Sequence, residues 1–267
     1  MPENLEDLTK LSREMAAAAG ALALTQRSQA LHDVDTKSST VDIVTAADRA
    51  GEQLIRDRLL ATRPHDAIVG EEGAAKAGTS GLTWFLDPID GTTNFYYGLP
   101  GWVVSIAVSD SEGIAVGAVF DPVADLMYSA YRGGGAQRNG KPITARQQVT
   151  PLSSALVATG FSYQAHQRKR QAQILVELIP QVRDIRRLGS AAKDLCLVAE
   201  GSCDAYFEAG LNQWDLAAGW IIAAEAGAKV AFLTPESHER RLLLAATASV
   251  FDPLEAALEA AGAPLDP

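Results

Sequence analysis

The 267-residue chain is long enough for one large α/β unit or two compact ones. With 23 Lys and Arg against 33 Asp and Glu its formal charge is 23 − 33 = −10, so a nucleic-acid backbone would meet repulsion instead of releasing counterions. A composition 47% hydrophobic and 21% charged excludes a disordered chain, and neither a membrane-spanning run nor a basic secretory leader is evident beside Glu3, Glu6 and Asp7, which points to a cytoplasmic protein.

Residues 4–31 are rich in Ala and Leu, and Leu8, Leu11, Met15, Ala18 and Leu22 recur at helical spacing, which predicts an amphipathic first helix. A polar segment, 32–42, interrupts the pattern. Thr45 and Asp48 read as a capping pair that opens a second helix, whose Leu54, Ile55 and Leu59 stripe runs until Pro64. Apolar runs at 67–69 and 84–86 predict buried strands, and 103–108, 114–120 and 126–130, separated by turn-forming residues, predict an antiparallel meander. Beyond Gly133, Gly134 and Gly135 and the Asn139-Gly140 turn, strands at 155–159, 183–186, 205–207, 229–232 and 242–245 alternate with helices at 166–179, from 191, from 214 and from Pro253. The alternation predicts an α/β or α+β fold with layered mixed sheets. A soft boundary near 140–152 divides one compact unit into an N-terminal half, 1–150, and a C-terminal half, 151–267. Cys196 and Cys203 lack metal-site spacing and read as buried free thiols, while His32, His65, His166 and His238 fall outside every motif.

Three acidic groups follow apolar runs, where strand ends meet loops and ligand sites tend to lie. Glu71 and Glu72 follow 67–70, although alone they could form a solvated turn. Asp87, Pro88, Ile89, Asp90, Gly91, Thr92, Thr93 and Asn94 follow the second run, and this is the specific motif. Pro88 fixes φ and removes a donor, favouring a kink that turns two carboxylates and a carbonyl toward one point. Gly91 allows a close approach, and Thr92, Thr93 and Asn94 suit the first turn of a helix whose free N–H groups attract an anion. Hard oxygen ligands beside an anion cradle describe Mg²⁺ with a phosphate. The third group is Trp214-Asp215, where an Asp in a first helical turn also complements the helix dipole, as Asp48 also serves a cap.

In this order the motifs resemble those of the inositol monophosphatases, the magnesium-dependent, lithium-sensitive phosphatase family. The resemblance runs from about residue 37 to 230 and includes the loop 37–48, Gly70-Glu71-Glu72-Gly73, 84–95, 187–192 and 214–219. It implies a five-layered αβαβα sandwich, usually a homodimer, and a Mg²⁺-dependent phosphomonoesterase acting on a small phosphorylated polyol, foremost myo-inositol monophosphate. Glu71, Asp87 and the Ile89 carbonyl would hold one Mg²⁺, and Asp87, Asp90 and Asp215 a second. Glu71 with Thr92 would orient the attacking water, and Asp48 would support a weaker third ion or its waters. Gly91, Thr92 and Thr93 would take phosphate oxygens, and Gly189, Ser190, Ala191, Glu208 and Asp90 would meet the polyol.

The same roles suit the chemistry. A phosphate monoester is a dianion that hydrolyses very slowly in water, and cations can both activate a nucleophile and neutralise charge at the leaving oxygen. Histidinol phosphate and fructose 1,6-bisphosphate are alternative substrates in the same family; the latter needs a basic clamp, for which Arg168, Lys169 and Arg170 are candidates if they are not a solvated helix face. A relative that kept the fold to bind a protein partner is the alternative of a different class. The aromatic loop 95–102 reads as packing or as a pocket wall.

Overall fold

The computed structural model describes residues 4–30, 34–36, 43–148, 150–237 and 240–263. Part of the polar segment, including 37–42 of the expected metal-site loop, lies outside them, as do His32 and His238.

Helix α1 (Leu5–Ala30) buries Leu8, Met15, Ala16 and Ala19, and α2 (Ala46–Thr62) buries Ile55 and Leu59. Both cover one face of a seven-stranded sheet. Its members are β3 (Ala67–Gly70), β4 (Thr83–Asp90), β5 (Val103–Asp110), β6 (Gly113–Asp121), β7 (Leu126–Tyr131), β8 (Gly135–Arg138) and β9 (Lys141–Ile143), in that spatial order, with only β3 and β4 parallel. The predicted meander is β5–β6–β7. Strands β8 and β9 extend it across a tight turn whose Asn139 and Gly140 both take positive φ (50° and 74°), as a two-residue hairpin with right-handed twist requires.

A short ribbon pairs β1 (Val34–Thr36) with β2 (Ile43–Thr45), where the sequence had suggested only a break. Helix α3 (Thr92–Tyr97) follows β4 directly.

Alternation along β5 sets up the layering. Val104, Ile106 and Val108 face α1 and α2, whereas Val103 and Ala107 face the opposite side. There α5 (Ala191–Ala199) and α6 (Gln213–Glu225) form a middle layer. At Gly117 of β6 a side chain would collide with the Ala218 carbonyl at 2.6 Å, so the missing Cβ lets α6 cross close to the strand.

The second sheet has the order β11 (Asp184–Arg186), β10 (Leu156–Thr159), β12 (Ala205–Ala209), β14 (Leu242–Ala246), β13 (Lys229–Phe232). It is mixed: β10 runs parallel to β11 and β12, and β14 antiparallel to β12 and β13. Leu243 and Ala245 of β14 pack on the middle layer, while Leu242, Leu244 and Ala246 pack outward against α7 (Ala248–Ala260). Helix α4 (Ala165–Leu178) adds Leu178 to that outer core. The layers are therefore helix, sheet, helix, sheet, helix, and a strand covered on both faces reads as a continuous apolar run.

Helix α7 begins at Ala248, five residues before Pro253, where the sequence had suggested its start. Val250, Phe251 and Leu254 are fully buried on one face and hold the first turn in place despite the hydrogen bond that the proline cannot donate. Among the described residues no helix is long and apolar enough to cross a membrane. Cys196 and Cys203 are free and buried.

Candidate active site

Strand β4 ends in the motif that the sequence singled out. In a regular strand, residues three apart point to opposite faces, but the pairing register shifts between Asp87 and Asp90, around Pro88. The irregularity resets the alternation, so that both carboxylates and Ile89 line one cavity of about 460 Å³. Ile89 N–H donates to Asp87 Oδ1 at 3.0 Å and fixes the turn. Beneath it, buried Phe95 and Trp102 pack edge to face at 5.0 Å in a cluster with Ile89, so these two aromatics of the 95–102 loop support the motif from behind. Gly91, at φ 95°, ends the strand and opens α3 with Thr92.

The same cavity receives Glu71 from the end of β3, Glu208 from β12 and Asp215 from the first turn of α6. A smaller cavity of about 100 Å³ shares Asp90, Gly91, Glu208 and Asp215 with it and adds Gly189, Ser190 and Ala191. Strand ends and helix starts from both sheets thus converge, bringing together eleven of the thirteen expected site residues. Asp48 and Thr93 line neither cavity. Asp48 is fully buried behind Thr92, caps α2 by accepting from Thr45 N–H at 2.8 Å, and stands 3.3 Å from the Thr92 hydroxyl.

Asp87, Asp90 and Asp215 are each tied back by one oxygen. Asp90 Oδ2 accepts from Ser190 Oγ at 2.7 Å and Ala192 N–H at 2.8 Å; Asp215 Oδ2 accepts from Asn212 N–H at 2.7 Å. The second oxygen of Asp87, Asp90 and Asp215 has no protein donor among the described residues. Burial pushes the Asp87 carboxyl well above its usual range, with Glu71, Asp90, Asp215 and Asp48 adding repulsion. Asp215 rises for the same reasons, and Asp90 is pushed up to about 7 by burial, despite the hydrogen bonds from Ser190 and Ala192 that favour its charged form.

No three acidic, His or Cys side chains among the described residues form a closed chelating group. The acids stand as an open set around the cavity. Their spare oxygens, with Glu71 and the Ile89 carbonyl, are hard anionic donors whose mutual repulsion a divalent cation would relieve, and on that chemistry the set fits such a cation.

Several contributors were not read from the sequence. Glu52 of α2 is buried and accepts from Glu72 N–H at 2.7 Å, Gly73 N–H at 2.8 Å and Arg56 Nε at 2.6 Å, clamping the turn that presents Glu71. It lies one helical turn after Asp48, on the inner face, and that spacing was the available signal. Phe161, Ser162, Tyr163 and Gln164 line the larger cavity just beyond β10. The strand-end rule that found the acids applies there as well. Arg240 and Arg187 also reach the cavities, whereas Arg168, Lys169 and Arg170 are exposed on α4 and line neither. The run on α4 is a solvated face and provides no basic clamp in the pocket. His65 and His166 are exposed.

Sequence and structural comparisons relate the whole chain to known proteins. The sequence model of the inositol monophosphatase family matches residues 4–262, extending well past the motif-bearing region at both ends. The inositol-1-monophosphatase SuhB of Mycobacterium tuberculosis is 46% identical over 235 residues, covering 85% of this chain and 81% of that protein. The Nus factor SuhB of Vibrio cholerae is 40% identical over 197 residues, 73% of each chain. The solved structure of Mycobacterium tuberculosis SuhB superposes with a TM-score of 0.84 at 38% identity over 98% of this chain and 99% of its own. The Thermotoga maritima IMPase superposes with a TM-score of 0.86 at 27% identity over 97% and 99%.

Proposed function

Because the chain belongs to the inositol monophosphatase family, we propose that it is a Mg²⁺-dependent phosphomonoesterase that hydrolyses myo-inositol monophosphate to inositol and phosphate. The observation that carries this reading is the convergence of Glu71, Asp87, Asp90 and Asp215 on one cavity, the three aspartates each keeping a carboxyl oxygen without a protein donor among the described residues, beside the Gly91–Thr92 start of a helix.

Glu71, Asp87 and the Ile89 carbonyl would hold one Mg²⁺, and Asp87, Asp90 and Asp215 a second. Bound there, the cations would lower the pKa of a water and neutralise charge on the ester. The chain's own groups do the rest. The Thr92 hydroxyl, 3.3 Å from Asp48 Oδ1 and 3.0 Å from the Ile89 carbonyl, has one proton to give to either and keeps lone pairs for an attacking water. Glu71 can accept that water's proton. N–H groups of Gly91 and Thr92, which line the cavity, can take phosphate oxygens. Ser190 and Ala192 hold Asp90 in place, and Glu208, which accepts from the Tyr206 hydroxyl at 2.6 Å, offers a carboxylate to polyol hydroxyls.

A panel of myo-inositol 1-phosphate, histidinol phosphate and fructose 1,6-bisphosphate, assayed for phosphate release with and without Mg²⁺ and with Li⁺ added, tests the reading. Fastest turnover of the inositol ester, abolished without Mg²⁺ and depressed by Li⁺, is expected. Faster turnover of histidinol phosphate would displace the substrate and leave the metal chemistry in place.

A further inference from the structure

The smaller cavity has one wall that the roles above do not use. Asp194 lines it, is 1% exposed, and its Oδ1 has no hydrogen-bond partner among the described residues. Its position follows from the helix. Ser190 caps α5 and donates to Asp90; Asp194 lies one turn further on the same face, with its own N–H bonded to the Ser190 carbonyl at 3.0 Å. Of the two nearby cations, Lys193 Nζ pairs with Asp121 at 3.1 Å across the middle layer, and Arg187 lines the same cavity without a hydrogen bond to Asp194 Oδ1. A buried carboxyl oxygen without a partner is destabilising, and an apolar side chain would fill the place more stably.

Opposite stands Glu208, whose Oε2 accepts from the Tyr206 hydroxyl and fills the space left by the absent side chain of Gly160. The pocket between them is about 100 Å³, room for a few hydroxyl groups and not for a whole ring, and it opens beside the wall shared with the larger cavity.

We propose that Asp194 is a specificity-determining residue, whose carboxyl takes a hydrogen bond from a ring hydroxyl of the polyol next to the one met by Glu208. The proposal rests on the phosphatase reading and deepens it: the site selects for a leaving alcohol carrying neighbouring hydroxyls, and a substrate lacking one leaves Asp194 unpaired.

The test compares wild type with Asp194→Asn and Asp194→Leu. With Mg²⁺ present, kcat/KM is measured for myo-inositol 1-phosphate and for 4-nitrophenyl phosphate, and thermal midpoints are taken without substrate. The expected result is a fall of about 10- to 100-fold in the ratio of the two kcat/KM values, with the midpoint of Asp194→Leu equal to or above that of wild type. A residue that only supports the fold would lower the midpoint and depress both substrates together, and that result overturns the proposal. So does an unchanged ratio, which would mean that Asp194 meets no substrate hydroxyl. Wild type that hydrolyses 4-nitrophenyl phosphate but no polyol phosphate overturns both this inference and the polyol assignment. Wild type inactive on both esters removes the phosphatase reading itself and this inference with it.

Discussion

Asp87→Asn is expected to lower Mg²⁺-dependent kcat/KM for myo-inositol 1-phosphate by roughly a thousandfold or more, about 4 kcal/mol of transition-state stabilisation. Asp87 is the acid on which the others converge: its carboxyl feels Glu71, Asp90, Asp215 and Asp48 together. The amide is nearly isosteric and its oxygen can still accept from Ile89 N–H, so the β4 turn is retained. What is lost is the negative charge shared between the two proposed cation positions. Since burial disfavours that charge, the variant is expected to unfold no earlier than the metal-free wild type, and a thermal scan beside the phosphate assay checks this. Turnover within a few-fold of wild type would remove Asp87 from the metal assignment. The inactive variant also serves for the alternative of a protein-binding role: a cellular role that survives Asp87→Asn would belong to a partner surface and not to catalysis.

Removal of divalent cations is the second large perturbation, and its effect depends on pH. Asp90 is pushed from 3.8 to about 7, and Asp87 and Asp215 are shifted in the same direction. A carboxyl that holds its proton more tightly in the folded than in the unfolded chain contributes stability that is fully present below the unfolded value and is lost as pH rises through the folded one. Between pH 5 and 8 the thermal midpoint of chelator-treated protein is therefore expected to fall. Mg²⁺ at about 100 times its dissociation constant would add roughly 2.7 kcal/mol, or about 5–10 °C for a chain of this size. That gain should grow with pH as the acids ionise. A flat midpoint in the absence of metal, or the same Mg²⁺ increment at pH 5 and pH 8, would contradict the electrostatic description of the cavity.

Much of the fold was legible because burial leaves a clear pattern. The β5–β6–β7 meander and the two-sided burial of β14 appear as short apolar runs between turns, and the α2 cap appears as Thr45 and Asp48. The start of α7 was not legible: a rule about Pro253 was overridden by the packing of Val250 and Phe251, which local sequence does not reveal. Strands β8 and β9 were missed because they are short, polar and partly exposed, β9 at the sheet edge, with little apolar signal.

The site divides similarly. Glu71, Asp87, Asp90 and Asp215 were visible as acids at strand ends and helix starts. Glu52 and Asp194 were not, because a charged residue within a helix ordinarily faces solvent, and only the packing of α2 under the Glu71 turn and of α5 beside Glu208 turns these two inward. Arg168, Lys169 and Arg170 illustrate the opposite case, a conspicuous charge run that the fold leaves on the outside.

The formal charge of −10 argues against a nucleic-acid backbone because negative charge repels phosphate. Cations held by Glu71, Asp87, Asp90 and Asp215 are expected to reverse this repulsion locally. Calorimetric titration of inorganic phosphate, the product that is not turned over, into chelator-treated Asp87→Asn and wild-type protein, with and without Mg²⁺, tests it most directly. Binding is predicted for wild type with Mg²⁺ alone, with no detectable heat in the metal-free protein. Equal affinity with and without metal would contradict the claim.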